Sequence, residues 1–351
     1  MGAIIDASDA RVLALSDTHI GFDSDERPRS DRQRRDADFH ANFLCALAPA
    51  LRGEVDAVVH GGDLLYRRRV SDAVLAAAFD PLIEVAERGV PVLIVPSNHE
   101  RSSLPRTLFT DHPRLHIFDR PGCIDVPCGA TTARFAGFPY RRGPVRDELP
   151  ALLAEADWRS DGADRHVLCV HRLFAGATVG LHNYTFRGAA DVIRPRDVPA
   201  EFEVVVSGHI HRHQVLSHAG DGTPLATPVV FPGPIERTAF AEAPETKGFC
   251  VVTLRRPPEI EFRPLPARPM HYIRLAADVA DAAAAVQFVT QRLAPLEPNS
   301  VVRVSAAEGV PDDVATALAA PRLRALAPAT MHLELRIDSA QQRPPRWRRG
   351  R

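Results

Sequence analysis

The sequence predicts an α/β fold, and three features predict it. Short, continuous apolar runs recur along most of the chain, helical patterns lie between them, and beyond residue 267 the same alternation begins again on a smaller scale. The clearest runs are residues 12–15, 57–59, 92–95, 167–170 and 204–206. They are rich in Val, Leu and Ile, and too short and unbroken for amphipathic helices, so they read as buried strands. Residues 38–51 carry Phe39, Phe43, Leu44 and Leu47 at helical spacing, and residues 71–88 start on Ser71, a good N-cap residue, and end before Gly89. Strands alternating with helices give an α/β core.

From residue 216 to 262 strands dominate, with turns at Asp221-Gly222 and Pro232-Gly233, and this stretch reads as a strand-rich second sheet. Residues 255–269 hold several prolines and read as a boundary. After it come a strand at 270–276, an alanine-rich helix at 279–293, a strand at 300–304, a helical stretch at 310–326 and a strand at 331–337. That is enough for a small α/β domain of about 70 residues. The expected organisation is a main domain over residues 1–266, a small domain over 267–340, and a basic, disordered tail over 341–351 with Arg343, Arg346, Arg348, Arg349 and Arg351.

Bulk composition narrows the class. With 351 residues, 45% hydrophobic and 25% charged, the chain suits one large and one smaller globular domain, and nothing in these numbers suggests a disordered or membrane class. A net charge of -1 means that any polyanion would be held by local patches. Lys247 is the only lysine among 43 basic residues; a GC-rich genome accounts for that bias, although the arginine fork also suits phosphate. The 5 cysteines, Cys45, Cys123, Cys128, Cys169 and Cys250, form no C-x-x-C pair, which argues against a disulfide framework and a zinc knuckle. Cys169 and Cys250 sit in apolar runs and read as buried, while Cys123 and Cys128 flank an expected turn. Asp6 and Asp9 interrupt any leader, and no run approaches the ~18 apolar residues of a membrane span, so a cytoplasmic protein without a membrane partner is expected.

The chemistry lies just after the strands. Asp17 and His19 follow the first, Gly61-Gly62-Asp63 the second, Asn98 and His99 the third, His171 the fourth, and His209 and His211 the fifth. In an open α/β sheet ligands bind beyond the carboxyl ends of the strands, so one edge would receive only Asp, Asn and His. Carboxylate, amide oxygen and imidazole without thiolate suit octahedral manganese, with iron, zinc or magnesium as alternatives, better than a structural zinc. Asp17, His19, Asp63, Asn98, His171, His209 and His211 are too many ligands for one ion. They suit two divalent ions about 3.5–4 Å apart sharing a carboxylate. Asp63 is the natural bridge, because two preceding glycines let the backbone approach closely.

"SDTHIG", "GGDLL", "SNHE", the isolated "VHR" and "SGHIH" follow one another in the order of the motifs of calcineurin-like metallophosphoesterases, which the sequence resembles over residues 11–240. The resemblance implies a sandwich of two β-sheets flanked by helices, with the small C-terminal α/β domain as a cap. It implies that Asp17, His19 and His211 bind one ion, that Asn98, His171 and His209 bind the other, and that Asp63 bridges them. His99 would then face the phosphate or the leaving oxygen as a catalytic residue. Ser97 stands where the family usually has glycine, and Glu100 where it usually has an acidic residue. More narrowly, "FPGPIERTAFAEAPETKGF" at 231–249 and "RRDADFHANF" at 34–43 resemble stretches of SbcD-type DNA repair nucleases, and the small domain resembles their DNA-capping domain.

Blander readings cover the rest. His60 and His213 adjoin motifs and could support ligands, while the remaining histidines outside the site read as surface or structural residues. Arg67, Arg68 and Arg69, the arginines at 27, 29, 32, 34 and 35, and Arg141 with Arg142 read as solvated faces or as phosphate contacts near the metal edge. Phe138 and Tyr140 read as buried aromatics or base-stacking platforms. The expected function is a manganese-dependent DNA nuclease. The alternative is a phosphatase or cyclic-nucleotide phosphodiesterase using the same dinuclear site, and the intact ligand set argues against a non-catalytic scaffold. DNA is the expected partner and a homodimer is compatible with the chain. An SbcC-type ATPase is expected to bind weakly or not at all, since the docking helices of the nucleases are not seen.

Overall fold

The computed structural model describes residues 9–23, 35–97, 104, 111–276, 279–306 and 310–337. They fall into two compact units, one ending at Ala267 and the other beginning at Arg268.

The first unit contains two six-stranded sheets. In chain order the strands of these two sheets are β1 (Arg11–Leu15), β2 (Ala57–His60), β3 (Val92–Ile94), β4 (Leu115–Ile117), β5 (Gly122–Cys128), β6 (Thr131–Gly137), β7 (Arg165–Val170), β8 (Val204–Ser207), β9 (Gln214–His218), β10 (Pro224–Phe231), β11 (Gly248–Thr253) and β12 (Glu259–Pro264). Among the described residues its α-helices are α1 (Asp36–Leu51), α2 (Asp72–Glu87) and α3 (Val145–Ala156). The first sheet runs β12-β11-β1-β2-β3-β4, the second β9-β10-β8-β7-β6-β5. β1 to β4 are parallel neighbours, and so are β6, β7, β8 and β10. Parallel strands need crossover segments, and α1 and α2 supply two of them.

Residues alternate between two apolar faces. Val12, Ala14, Ala57, Val59 and Leu93 of the first sheet pack with Phe135, Val167, Cys169, Val204 and Val206 of the second, forming the layer between the sheets. Leu13, Leu15, Val58 and Ile94 turn the other way, onto Phe43, Leu47, Phe79 and Leu82 of α1 and α2. On the far face of the second sheet, Leu168, Val170 and Val205 pack with Leu149, Leu152 and Leu153 of α3. Each central strand is therefore buried on both faces, which is why it reads as an unbroken apolar run.

Several expectations need correction. The strands between 214 and 264 do not form one second sheet. β9 and β10 join β8, whereas β11 pairs antiparallel with β1 and carries β12 on its outer edge. The proline-rich stretch is therefore partly a strand. The strand ends before Asp17, Asp63, His171 and His209 come from both sheets, not from one edge of a single open sheet. Cys123 and Cys128 lie within β5, and the turn follows Cys128. Ser71 has the extended backbone of an N-cap residue but makes no capping side-chain bond.

The second unit has its own three-stranded parallel sheet, β13 (Met270–Leu275), β14 (Val301–Ala306) and β15 (His332–Ile337), in that order. α4 (Ala282–Leu293) starts after Asp281, whose carboxylate accepts from the Ala284 N–H at 2.8 Å. The expected helix over 310–326 is two short ones, α5 (Asp312–Ala317) and α6 (Ala320–Arg324). Ile273, Val302, Val304 and Leu333 pack with Ala285, Val289, Val314 and Leu323 in a separate core. The expected tail lies outside the described residues. Among the described residues, no helix is long and apolar enough to cross a membrane.

Candidate metal centre

Loops after β1, β2, β7 and β8 meet at one end of the sandwich. The first two are laced together: Asp17 N–H donates to the Gly62 carbonyl at 2.8 Å and His19 N–H to the Asp63 carbonyl at 2.9 Å. Asp17, His19, Asp63 and His209 all have positive φ, at 54°, 47°, 54° and 82°. For residues with a Cβ this left-handed region costs on the order of 1–3 kcal/mol each, and such strain concentrates at functional sites.

Two trios result. Asp17, His19 and His211 each offer one ligand atom, all within 4.8 Å of one another, and so do Asp63, His171 and His209. In the first trio His19 Nε2 and His211 Nε2 are 3.1 Å apart. In the second, His171 Nε2 is 3.2 Å from His209 Nδ1 and 3.6 Å from Asp63 Oδ2. The trios are joined where His209 N–H donates to Asp17 Oδ1 at 3.0 Å. Asn98 and His99 lie outside the described residues.

The ring tautomers follow from the outer hydrogen bonds. His171 Nδ1 is 2.8 Å from the Gly61 carbonyl and His211 Nδ1 is 2.9 Å from Glu242 Oε1. Both partners only accept, so both Nδ1 atoms carry the proton and both Nε2 lone pairs face inward. Asp17 Oδ2 is buried with no hydrogen-bond partner among the described residues. Asp17 Oδ2 and the inward Nε2 atoms of His171 and His211 thus offer lone pairs that a cation would accept. The donor set, neutral imidazole and carboxylate, is one that divalent ions accept. The residues present therefore fit two ions.

Burial dominates the electrostatics. It pushes the Asp17 carboxyl up and the His209 imidazole down to about 3. Burial also opposes charge on His211, but the Glu242 hydrogen bond and the Asp17 charge outweigh it and raise its pKa. A bound cation would favour the Asp17 carboxylate and the neutral rings, the ligating forms.

Glycine shapes the floor of the site. A Cβ on Gly62, whose φ is +100°, would lie 2.5 Å from His171 Nδ1. One on Gly208 would lie 2.4 Å from the Gly61 carbonyl oxygen. The two loops can thus close on the His171 ring only because both positions lack a side chain.

Support from His60 is a finding. It is fully buried, accepts from Gly62 N–H at 3.2 Å through Nδ1 and so donates through Nε2 to Thr18 Oγ1 at 2.9 Å. His213 instead bonds the Phe231 carbonyl and stacks on Phe262, away from the trios. Phe138 is buried, while Tyr140 is half-buried with its ring 6.1 Å from those of His171 and His209. Arg67, Arg68, Arg69, Arg141 and Arg142 are exposed. Sequence reasoning missed Thr238, Glu242 and Lys247, which stand behind His211. The available signal was the lone lysine.

A family model described as calcineurin-like phosphoesterase matches residues 10–213. The DNA double-strand break repair protein Mre11 of Haloferax volcanii is 29% identical over 269 residues, 76% of this chain and 54% of the relative. That of Halobacterium salinarum is 27% identical over 248 residues, 70% of this chain and 56% of the relative. The chain spans about half the length of these relatives. A solved dimetal phosphatase from Danio rerio superposes with a TM-score of 0.46 at 14% identity, over 73% of this chain and 96% of that one.

Proposed function

The chain belongs to the calcineurin-like phosphoesterase family, and from that premise we propose that it is a two-metal phosphodiesterase acting on DNA, with manganese as the working ion. The observation that carries the reading is the pair of adjoining trios, joined through Asp17 and His209. Bound ions would supply Lewis acidity toward a phosphoester oxygen and lower the pKa of a water. Asp17, His19 and His211 would hold one ion. Asn98, His171 and His209 would hold the other, with Asp63 available to both. His99 donates a proton to the leaving oxygen. The arginines at 67–69 and 141–142 contact the polyanion, and the small domain, residues 267–340, is read as a second DNA-binding part of the chain.

DNA is favoured as substrate by the names of the relatives, DNA double-strand break repair proteins, and by the second domain, of which a small-molecule phosphatase has little need. The test compares hydrolysis of DNA, a phosphoprotein and cyclic nucleotides with manganese. DNA is expected to be cut, in a reaction abolished by chelator and weakened steeply by salt. Turnover of cyclic nucleotides or phosphoprotein with DNA untouched would replace this reading with the phosphatase or cyclic-nucleotide one.

A further inference from the structure

We propose that Lys247 and Glu242 are positioning residues that fix His211 for the first ion, Lys247 acting as a three-pronged clamp that arginine cannot replace. The proposal rests on reading the two trios as metal ligands.

Glu242 is buried, and its Oε1 meets His211 Nδ1 at 2.9 Å and Thr238 Oγ1 at 2.6 Å. Its Oε2 meets Lys247 Nζ at 2.7 Å. The same ammonium reaches Glu245 Oε2 at 2.9 Å and the backbone carbonyl of His211 at 3.0 Å. Three acceptors thus meet three N–H bonds, and the lysine side chain is only 1% exposed. An ammonium spreads its donors tetrahedrally, whereas a guanidinium is a planar fork on a longer reach. Lysine is therefore the side chain that fits here. Everywhere else in the chain the basic residue is arginine, and this one buried position has lysine. The clamp holds His211 at both ends, by its backbone oxygen and, through Glu242, by its ring.

The carboxylate sets the tautomer. Glu242 accepts only, so the His211 proton stays on Nδ1 and Nε2 keeps its lone pair toward Asp17 and His19. In Glu242→Gln, the amide must turn its oxygen to the Lys247 ammonium, which only donates. Its NH2 then faces His211 Nδ1 and drives the proton to Nε2, the ligating atom. An isosteric change should thus disable one trio and leave the other intact.

The test is manganese titration of the metal-stripped full chain by calorimetry, for the wild type and for Glu242→Gln, Lys247→Arg and Lys247→Met. Melting curves and the nitrogen spectrum of His211 are recorded on the same samples. The wild type is expected to take up two ions and show a protonated Nδ1. Each variant should melt as a folded protein and keep one site at wild-type affinity, while the other weakens at least ~10-fold. Glu242→Gln should also move the His211 proton to Nε2. Wild-type affinity at both sites in Glu242→Gln and Lys247→Arg, or equal weakening of both, would overturn the proposal. If the Lys247 variants do not fold, the milder Glu242→Gln decides alone. A wild type that binds no more than one ion would instead overturn the dinuclear reading, before any variant is considered.

Discussion

Burial of His60 couples the site's scaffold to pH. Burial pushes its pKa down from 6.5 to about 3, because the neutral ring is fixed between Gly62 N–H and Thr18 Oγ1 with no water to solvate a charge. The unfolded chain binds this proton near pH 6.5 and the folded one only near 3, so the contribution is complete above 6.5 and is lost as pH falls toward 3. It is on the order of 5 kcal/mol at most, at about 1.4 kcal/mol per pH unit. Acid melts should show stability declining from about pH 6.5 downward, and His60→Leu, though less stable at neutral pH, should lose part of that slope. An unchanged slope would mean that the imidazole is protonated in the native fold. The residue types of the trios were legible because five apolar runs in turn are followed by Asp, Asn or His, a set that chance placement explains poorly. The residues behind them were not. Glu242 and Lys247 lie 31 and 36 positions beyond His211, and only a fold brings them to it.

Elements were legible where burial is two-sided. β1, β2, β3, β7 and β8 are apolar on both faces, and each appeared as an unbroken run. β5 and β6 escaped notice. They form an antiparallel hairpin at the sheet edge, and their alternation carries Asp125, Pro127 and Arg134. Which sheet a strand joins was not legible either. β11 pairs with β1 across more than half the chain, and no local pattern encodes that choice. The loops between elements carry the steric demand of the site. Gly208→Ala would put a methyl 2.4 Å from the Gly61 carbonyl oxygen and 2.7 Å from His171 Nδ1, and neither neighbour is a flexible side-chain end. It should lower stability by about 1–3 kcal/mol and weaken the second ion's site more than the first. Gly53→Ala meets nothing within 4 Å but has a φ of +70°, so it should cost stability without touching metal affinity. Equal metal binding in both variants would show that the glycine floor does not shape the site.

At the scale of the whole molecule, the candidate centre gathers residues from Asp17 to His211, so ions bound there would tie together loops drawn from both sheets of the first unit. Because the unfolded chain cannot assemble the trios, ions that bind the native state should raise its stability by mass action. The family and the order of its motifs could be read from the sequence, whereas the division of late strands between two sheets could not. The central claim, that the two trios form one dinuclear centre sharing Asp63, with His99 acting on the substrate beside it, is tested most directly by counting manganese ions per chain next to phosphodiester turnover. The wild type should hold two ions. Asp63→Ala should lose metal and turnover together, and His99→Ala should lose turnover while keeping both ions. A wild type holding fewer than two ions, or a His99→Ala that sheds metal as readily as Asp63→Ala, would contradict the account.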